Sequence, residues 1–256
     1  MIDPTPSLAE IAVEAAQAAA RVALDRFHKP LAVSSKGFRD IVTEADFAAQ
    51  DAAVHVIRSQ FPDAAILGEE NLVPTVDSDV VWVIDPIDGT SNYARGLPIF
   101  CVSIGVVQDD RPVAGAVYDP LRHHLFTAER GLGACLNGSP IRVSRVSAVA
   151  DAILGVDWGR EPEVRRRAFD LLNRLATECR TVRAIGSAAL GMCYVAVGWI
   201  DLYFNFAIKP WDCAATQVIM EEAGARLTTP LGAAWGYTQP AVFASNGLLH
   251  HAFGNG

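Results

Sequence analysis

The chain has 256 residues, 51% hydrophobic, 20% charged and 8% aromatic, a balance that excludes disordered and fibrous classes and leaves one large globular domain or two packed ones. Twenty-nine acidic against 21 basic residues give a net charge of -8, and that field repels phosphate backbones and anionic lipid, so nucleic acid and membrane are not expected partners. Five dispersed cysteines without a C-x-x-C pair exclude a zinc knuckle or a disulfide framework, and with no leader pattern or long apolar run the expected location is the cytoplasm.

Ser7-Leu-Ala-Glu10 is a capping box, and Leu8, Ile11, Ala12, Ala15, Ala19, Val22 and Ala23 follow at helical spacing, which predicts an alanine-rich, closely packed first helix. A second helix is expected from about Ala45 to Ser59 behind Thr43, with Ala45, Ala48, Ala49, Ala52 and Val56 as its buried stripe. Ala65 to Gly68 and Val80 to Ile84 are short apolar runs rich in strand formers, and antiparallel hairpins should follow from Phe100 to the turn at Asn137-Gly138. After about Val146 the pattern alternates: strand 153–156, helix 163–179, strand 182–185, helix 187–197, strand 201–206, helix 211–223. The fold class is therefore α+β at the front with layered α/β packing behind, in two regions, 1–145 and 146–256, that share an interface. That interface is where a site is expected.

Trp82-Val-Ile-Asp85-Pro-Ile-Asp88-Gly-Thr90 ends an apolar strand in two carboxylates held by a stiff proline turn, then a glycine and a hydroxyl. If a helix starts near Thr90, its N–H groups make an anion pocket beside those carboxylates. The plain alternative is that Asp88 caps a helix and Asp85 ends a strand. Glu69-Glu70 leaves a sheet after Gly68 and, alone, would simply face solvent. Asp40-Ile-Val-Thr-Glu-Ala-Asp46 reads equally as a second capping box, Thr43 with Asp46, and Asp212 as a charge favoured at a helix start. Gly186-Ser-Ala-Ala189 turns a strand into a helix, offering N–H groups to an anion or hydroxyl, or an ordinary N-cap at Ser187. The six histidines have no ligand spacing and are taken as surface or incidental, and Gly131-Leu-Gly133 is no dinucleotide fingerprint.

Together these residues resemble the inositol monophosphatase family, magnesium-dependent, lithium-sensitive phosphatases that share a layered α/β/α/β/α sandwich with fructose-1,6-bisphosphatase. The matching segments are Asp40 to Asp46, Gly68-Glu-Glu70, Trp82 to Tyr93, Gly186 to Ala189 and Lys209-Pro-Trp-Asp212, in the family's order. The resemblance implies that Glu69, Asp85, the Ile87 carbonyl, Asp88 and Asp212 surround two or three Mg²⁺ ions, with Mn²⁺ as a substitute. All-oxygen donors suit those hard cations independently. It also implies that Asp46 and Thr90 orient or deprotonate the attacking water, with Glu69 and, behind it, Glu70 assisting. Lys36, Gly89 and Thr90 would hold phosphate, and Gly186, Ser187 and Ala188 would receive the leaving alcohol. A homodimer is expected.

One position departs from the pattern. Inositol-phosphate members usually carry a glutamate seven residues before the Trp-Asp aspartate, and here that residue is Asn205, a neutral amide that binds substrate hydroxyls with less acceptor strength. The expected function is hydrolysis of a small polyol or sugar phosphate, inositol 1-phosphate first and fructose 1,6-bisphosphate or another sugar or nucleotide phosphate as alternative. A catalytically silent phosphometabolite-binding protein is the reading from a different class.

Overall fold

The computed structural model describes residues 6–70 and 78–254. Helix α1, Leu8–Arg26, starts at the Ser7 capping box: Ser7 N donates to Glu10 Oε2 at 2.7 Å and Glu10 N to Ser7 Oγ at 3.2 Å. Its buried face is Ile11 and seven alanines, side chains small enough to let it lie closely on α2, Glu44–Gln60. Between them, β1, Val33–Gly37, and β2, Asp40–Thr43, form an antiparallel hairpin that the sequence pattern does not announce, because all five residues of β1 are exposed and show no apolar alternation. The buried stripe of α2 is Ala45, Ala49, Ala53 and Ile57 together with Asp46 and Gln50. The expected Ala48, Ala52 and Val56 are only half-buried. A stripe drawn through apolar residues alone turns away from the two polar side chains that point into the protein.

A seven-stranded sheet runs in simple chain order: β3, Ala65–Gly68; β4, Val80–Asp88; β5, Cys101–Gln108; β6, Arg111–Asp119; β7, His124–Glu129; β8, Gly133–Leu136; β9, Ser139–Pro140. Only β3 and β4 are parallel; β4 and β5 pair antiparallel across the segment that holds the next helix, and the later strands pair antiparallel through the hairpins that turn signals predict. A short helix α3, Thr90–Ala94, leaves the end of β4. The second sheet takes its strands from β10, Ile153–Val156; β11, Thr181–Ala184; β12, Leu202–Asn205; β13, Arg226–Thr228; and β14, Val242–Ser245, in the order β11-β10-β12-β14-β13. Helices α4, Pro162–Glu178, α5, Ala188–Ala196, and α6, Pro210–Glu222, complete the chain's main elements.

Five layers result. α1 and α2 cover one face of the large sheet, α5 and α6 lie between the two sheets, and α4 covers the outer face of the small one. Alternation along β12 shows the physics: Leu202 and Phe204 enter the outer core while Tyr203 enters the inner one. α6 lies against β5 and β6 because Gly105 and Gly115 leave room. A Cβ at Gly105 would stand 2.6 Å from Ala214 Cβ, and one at Gly115 2.7 Å from the Ala215 backbone. That close approach fixes the depth at which the N-terminus of α6 meets β4.

Two expectations need correction. The segment Asp85-Pro-Ile-Asp88 is not a turn but the last part of β4, which continues pairing with β5. His250 is not a surface residue: it is buried, with Nε2 2.8 Å from Thr228 Oγ1 and Nδ1 2.9 Å from Ser245 Oγ. Burial pushes it down to about 4, so it stays neutral, donating through one ring nitrogen and accepting through the other. All five cysteines are free, and among the described residues no helix is long and apolar enough to cross a membrane.

Candidate active site

Asp85 and Asp88 are three apart, and on a regular strand they would face opposite ways. β4 carries a bulge between them: Asp85 pairs with Ser103 and Asp88 with Cys101, so three steps on one strand match two on the other. The extra residue restores the parity and turns both carboxylates to one side. Asp212 arrives there from the first turn of α6, where its Oδ2 accepts from Lys209 N at 2.9 Å. One ligand oxygen from each of Asp85, Asp88 and Asp212 lies within 4.8 Å of the others. Burial, followed by repulsion from the neighbouring carboxylates, pushes Asp85 and Asp212 well above the ordinary carboxylate range. Asp88 is raised too, mainly by burial, although three hydrogen bonds oppose it.

Those bonds tie the two sheets together. Asp88 accepts from Ser187 Oγ at 2.5 Å, Ala189 N at 2.7 Å and Ala188 N at 3.2 Å, so a strand of the large sheet caps the N-terminus of α5. The Ala188 N–H and Ser187 hydroxyl, expected to face a ligand, are therefore taken up by protein. The Gly186 N–H is likewise taken, donating to Asp157 at 2.7 Å.

Glu69 follows β3 at the cavity edge, beside buried Glu70, and the Lys36 ammonium of the β1–β2 hairpin bridges them at 3.0 and 2.6 Å. Burial alone would lower Lys36; the charge of Glu69 and the bonds to both carboxylates outweigh it and raise it. Burial pushes Glu70 up to about 7, and its Oε2 has no hydrogen-bond partner. The Glu70 backbone N–H donates to Gln50 Oε1 at 3.1 Å, which explains why Gln50 is buried on α2.

Asp46 serves two structures with one carboxylate. Its Oδ2 accepts from Thr43 N at 2.8 Å and Thr43 Oγ1 at 2.6 Å, closing the capping box. Its Oδ1 is 3.4 Å from Thr90 Oγ1, which also lies 3.1 Å from the Ile87 carbonyl. Burial raises Asp46 against the opposing bonds from Thr43. Gly89, before α3, has φ 98°, and a Cβ there would come 3.0 Å from the Ile99 carbonyl and 3.2 Å from that of Gly186. Only glycine fits that left-handed, crowded corner.

A cavity of about 810 Å³ opens over these groups. Lys36, Glu69, Asp85, Ile87, Asp88, Gly89, Thr90, Gly186, Ser187, Ala188 and Asp212 all line it. Asn205 does not: it is buried, its Oδ1 accepts from Ala207 N at 2.9 Å and its Nδ2 approaches Tyr203 Oη at 3.5 Å.

The profile of the inositol monophosphatase family matches residues 6–254. The chain is 38% identical over 250 residues to inositol monophosphatase 1 of Solanum lycopersicum, covering 95% of this chain and 92% of that one. The chain belongs to the inositol monophosphatase family. It is also 42% identical over 218 residues to Nus factor SuhB of Haemophilus influenzae, covering 84% and 82%. The crystal structure of the extragenic suppressor protein suhB of Bartonella henselae superimposes with a TM-score of 0.90 at 31% identity, covering 96% and 98%. Inositol monophosphatases are metal-dependent, and the mutually repelling oxygen donors of Asp85, Asp88 and Asp212, gathered within 4.8 Å, fit a divalent cation. Asp157 is among the lining residues that escaped the sequence reading. Asp157, at the end of β10, carries no motif around it, and only the pairing of β10 beside β12 brings its Oδ2 to 3.1 Å from Tyr203 Oη.

Proposed function

We propose that this protein hydrolyses small polyol or sugar phosphate monoesters with Mg²⁺, by direct attack of water. The observation that carries this is the convergence of Asp85, Asp88 and Asp212 beside the Thr90–Asp46 contact in one cavity. Glu69, Asp85, the Ile87 carbonyl, Asp88 and Asp212 are the proposed ligands, Mg²⁺ the proposed ion and Mn²⁺ its substitute. When bound, such ions supply positive charge for the phosphate and lower the pKa of water.

The chain's own groups do the rest. The Thr90 hydroxyl lies 3.1 Å from the Ile87 carbonyl and 3.4 Å from Asp46; when its hydrogen turns from the carbonyl to Asp46, its lone pairs are free for an attacking water, and Asp46 is placed to take the proton passed through it. Glu69 faces the same point, and Glu70 holds Lys36 beside the place of the phosphate. Gly89 and Thr90 present backbone N–H groups from the tight corner before α3. In this reading the N-terminal region, 1–145, supplies most of the acid groups and the C-terminal region, 146–256, supplies Asp212 and the wall that receives the leaving alcohol. Inositol 1-phosphate is the first candidate and fructose 1,6-bisphosphate the second. Because Asn205 is turned inward, the alcohol is not read at that position.

A silent binding protein would have no use for a Thr hydroxyl within 3.4 Å of a buried carboxylate, and that contact favours catalysis. Phosphate release from inositol 1-phosphate, fructose 1,6-bisphosphate, NADP, histidinol phosphate and phosphoadenosine phosphate, each with Mg²⁺ and with chelator, tests the proposal. Metal-dependent turnover of at least one ester is the expected result. Silence across the panel despite Mg²⁺ binding would replace the phosphatase reading with the binding one.

A further inference from the structure

We infer that the outer end of the cavity is a second anion site, formed by Arg39, Arg160 and Arg165, that favours esters carrying a second phosphate away from the one cleaved. This rests on the phosphatase reading above. The inner end of the cavity is acidic, whereas its outer wall carries three arginines against two carboxylates, Asp40 and Glu161: Arg39 comes from the β1–β2 turn, Arg160 from the segment entering α4, and Arg165 from the first turns of α4. A volume of about 810 Å³ sits toward the upper end of small-ligand sites, roughly 300–1,000 Å³, with room beyond a single phosphate and its alcohol.

The usual fate of surface arginines is to splay into water. These are tied down. Arg39 Nη1 donates to the Arg160 carbonyl at 3.3 Å and Arg160 Nε to the Arg39 carbonyl at 3.2 Å, a reciprocal clamp between hairpin and α4 segment. Arg165 Nε donates to the Gly159 carbonyl at 2.8 Å. Each guanidinium has five donors, so these bonds orient it and leave most of its fork free.

Arg160 is ion-paired, Asp40 Oδ1 lying 2.8 Å from its Nη2, while the other two charges are not compensated in this way. Among the described residues no carboxylate pairs with Arg39 or Arg165. Partial desolvation and the neighbouring charge of Arg39 push Arg165 below the ordinary guanidinium value. The oriented, unpaired guanidiniums of Arg39 and Arg165 match a phosphate dianion, to which a guanidinium fork can donate bidentate bonds, with Arg160 adding a partly satisfied charge beside them.

Fructose 1-phosphate and fructose 1,6-bisphosphate differ only in the second phosphate and make the test pair. With Mg²⁺, the wild-type kcat/KM for the bisphosphate should exceed that for the monophosphate about ten-fold, equivalent to about 1.4 kcal/mol. Arg39→Ala with Arg165→Ala should erase most of that ratio, and Arg165→Lys, which keeps charge and fold but not the fork, should erase part. Equal wild-type values, or a ratio that survives the double change, overturns the subsite and leaves the phosphatase reading intact. If neither fructose ester releases phosphate, the phosphatase reading fails only where the whole ester panel above is silent as well. Calorimetric titration of fructose 1,6-bisphosphate into the Mg²⁺-supplied protein then decides the subsite, which is overturned unless the wild type binds about ten-fold more tightly than the double variant.

Discussion

Replacing Asp85 by Asn should make the metal-free protein more stable and the metal-supplied protein less so. Asp85 is 1% exposed, and ligand oxygens of Asp85, Asp88 and Asp212 lie within 4.8 Å of one another. Two ionised carboxylates at that distance repel by about 3.5 kcal/mol at an effective dielectric near 20. Proton uptake limits what is actually borne, so relief of about 1–2 kcal/mol is expected. Asn retains the oxygen that accepts from Ile87 N at 3.1 Å, so local structure survives. For a chain of this size each kcal/mol moves Tm by about 2–4 °C, which gives a rise of about 2–8 °C in chelator. Mg²⁺ at a hundred times its Kd should stabilise the wild type by about 2.7 kcal/mol, or about 5–11 °C, and the variant by little. Calorimetry at pH 7.5 with chelator and with Mg²⁺, alongside phosphate release, reads both effects. A variant that melts below the wild type in chelator, or that gains as much from Mg²⁺, would refute the role of charge repulsion and cation binding at this cluster.

Further outcomes follow from the same geometry. Thr90→Ala and Asp46→Asn should each lower kcat by about 10²–10⁴-fold, the usual range for lost proton transfer, with KM little changed; parallel loss of Mg²⁺ stabilisation would show a structural effect instead. In chelator, Tm should fall as pH rises from about 4 to about 7, because Glu70 and Asp157, both raised to about 7, bind protons in the folded state that the unfolded chain has released. A Tm that climbs steadily across that window would contradict this, although His250, lowered to about 4, subtracts stability as pH drops below about 6.5. Gly115→Ala should destabilise by about 1–3 kcal/mol through overpacking and weaken Mg²⁺ binding, because the added Cβ drives α6 and its Asp212 away from β4. An unchanged Mg²⁺ affinity would show that α6 is positioned by other contacts. His250→Ala should lower Tm through loss of both hydroxyl bonds, about 1–3 kcal/mol, and leave kcat unaltered.

Much of this protein is local information. The Ser7 and Thr43 capping boxes, the alanine periodicity of α1, the hairpin turns and the later alternation of strands and helices each depend on residues within a few positions of one another, so they stand in the sequence. So does the chemistry of the carboxylates, since Asp85, Asp88 and the residues around them form a compact pattern of acids, proline and glycine.

Distance and direction were decided only by tertiary structure. The bulge that turns Asp85 and Asp88 to one side depends on register with β5, and the arrival of Asp212 depends on α6 settling against Gly105 and Gly115. The capture of the α5 N-terminus by Asp88, the inward turn of Asn205 and the recruitment of Asp157 all join segments remote in sequence. So does the clamp between Arg39 and Arg160. A residue's charge and donors are written into the sequence, but whether they meet a ligand or a neighbouring strand is settled by packing, because a hydrogen bond tolerates only a few tenths of an ångström.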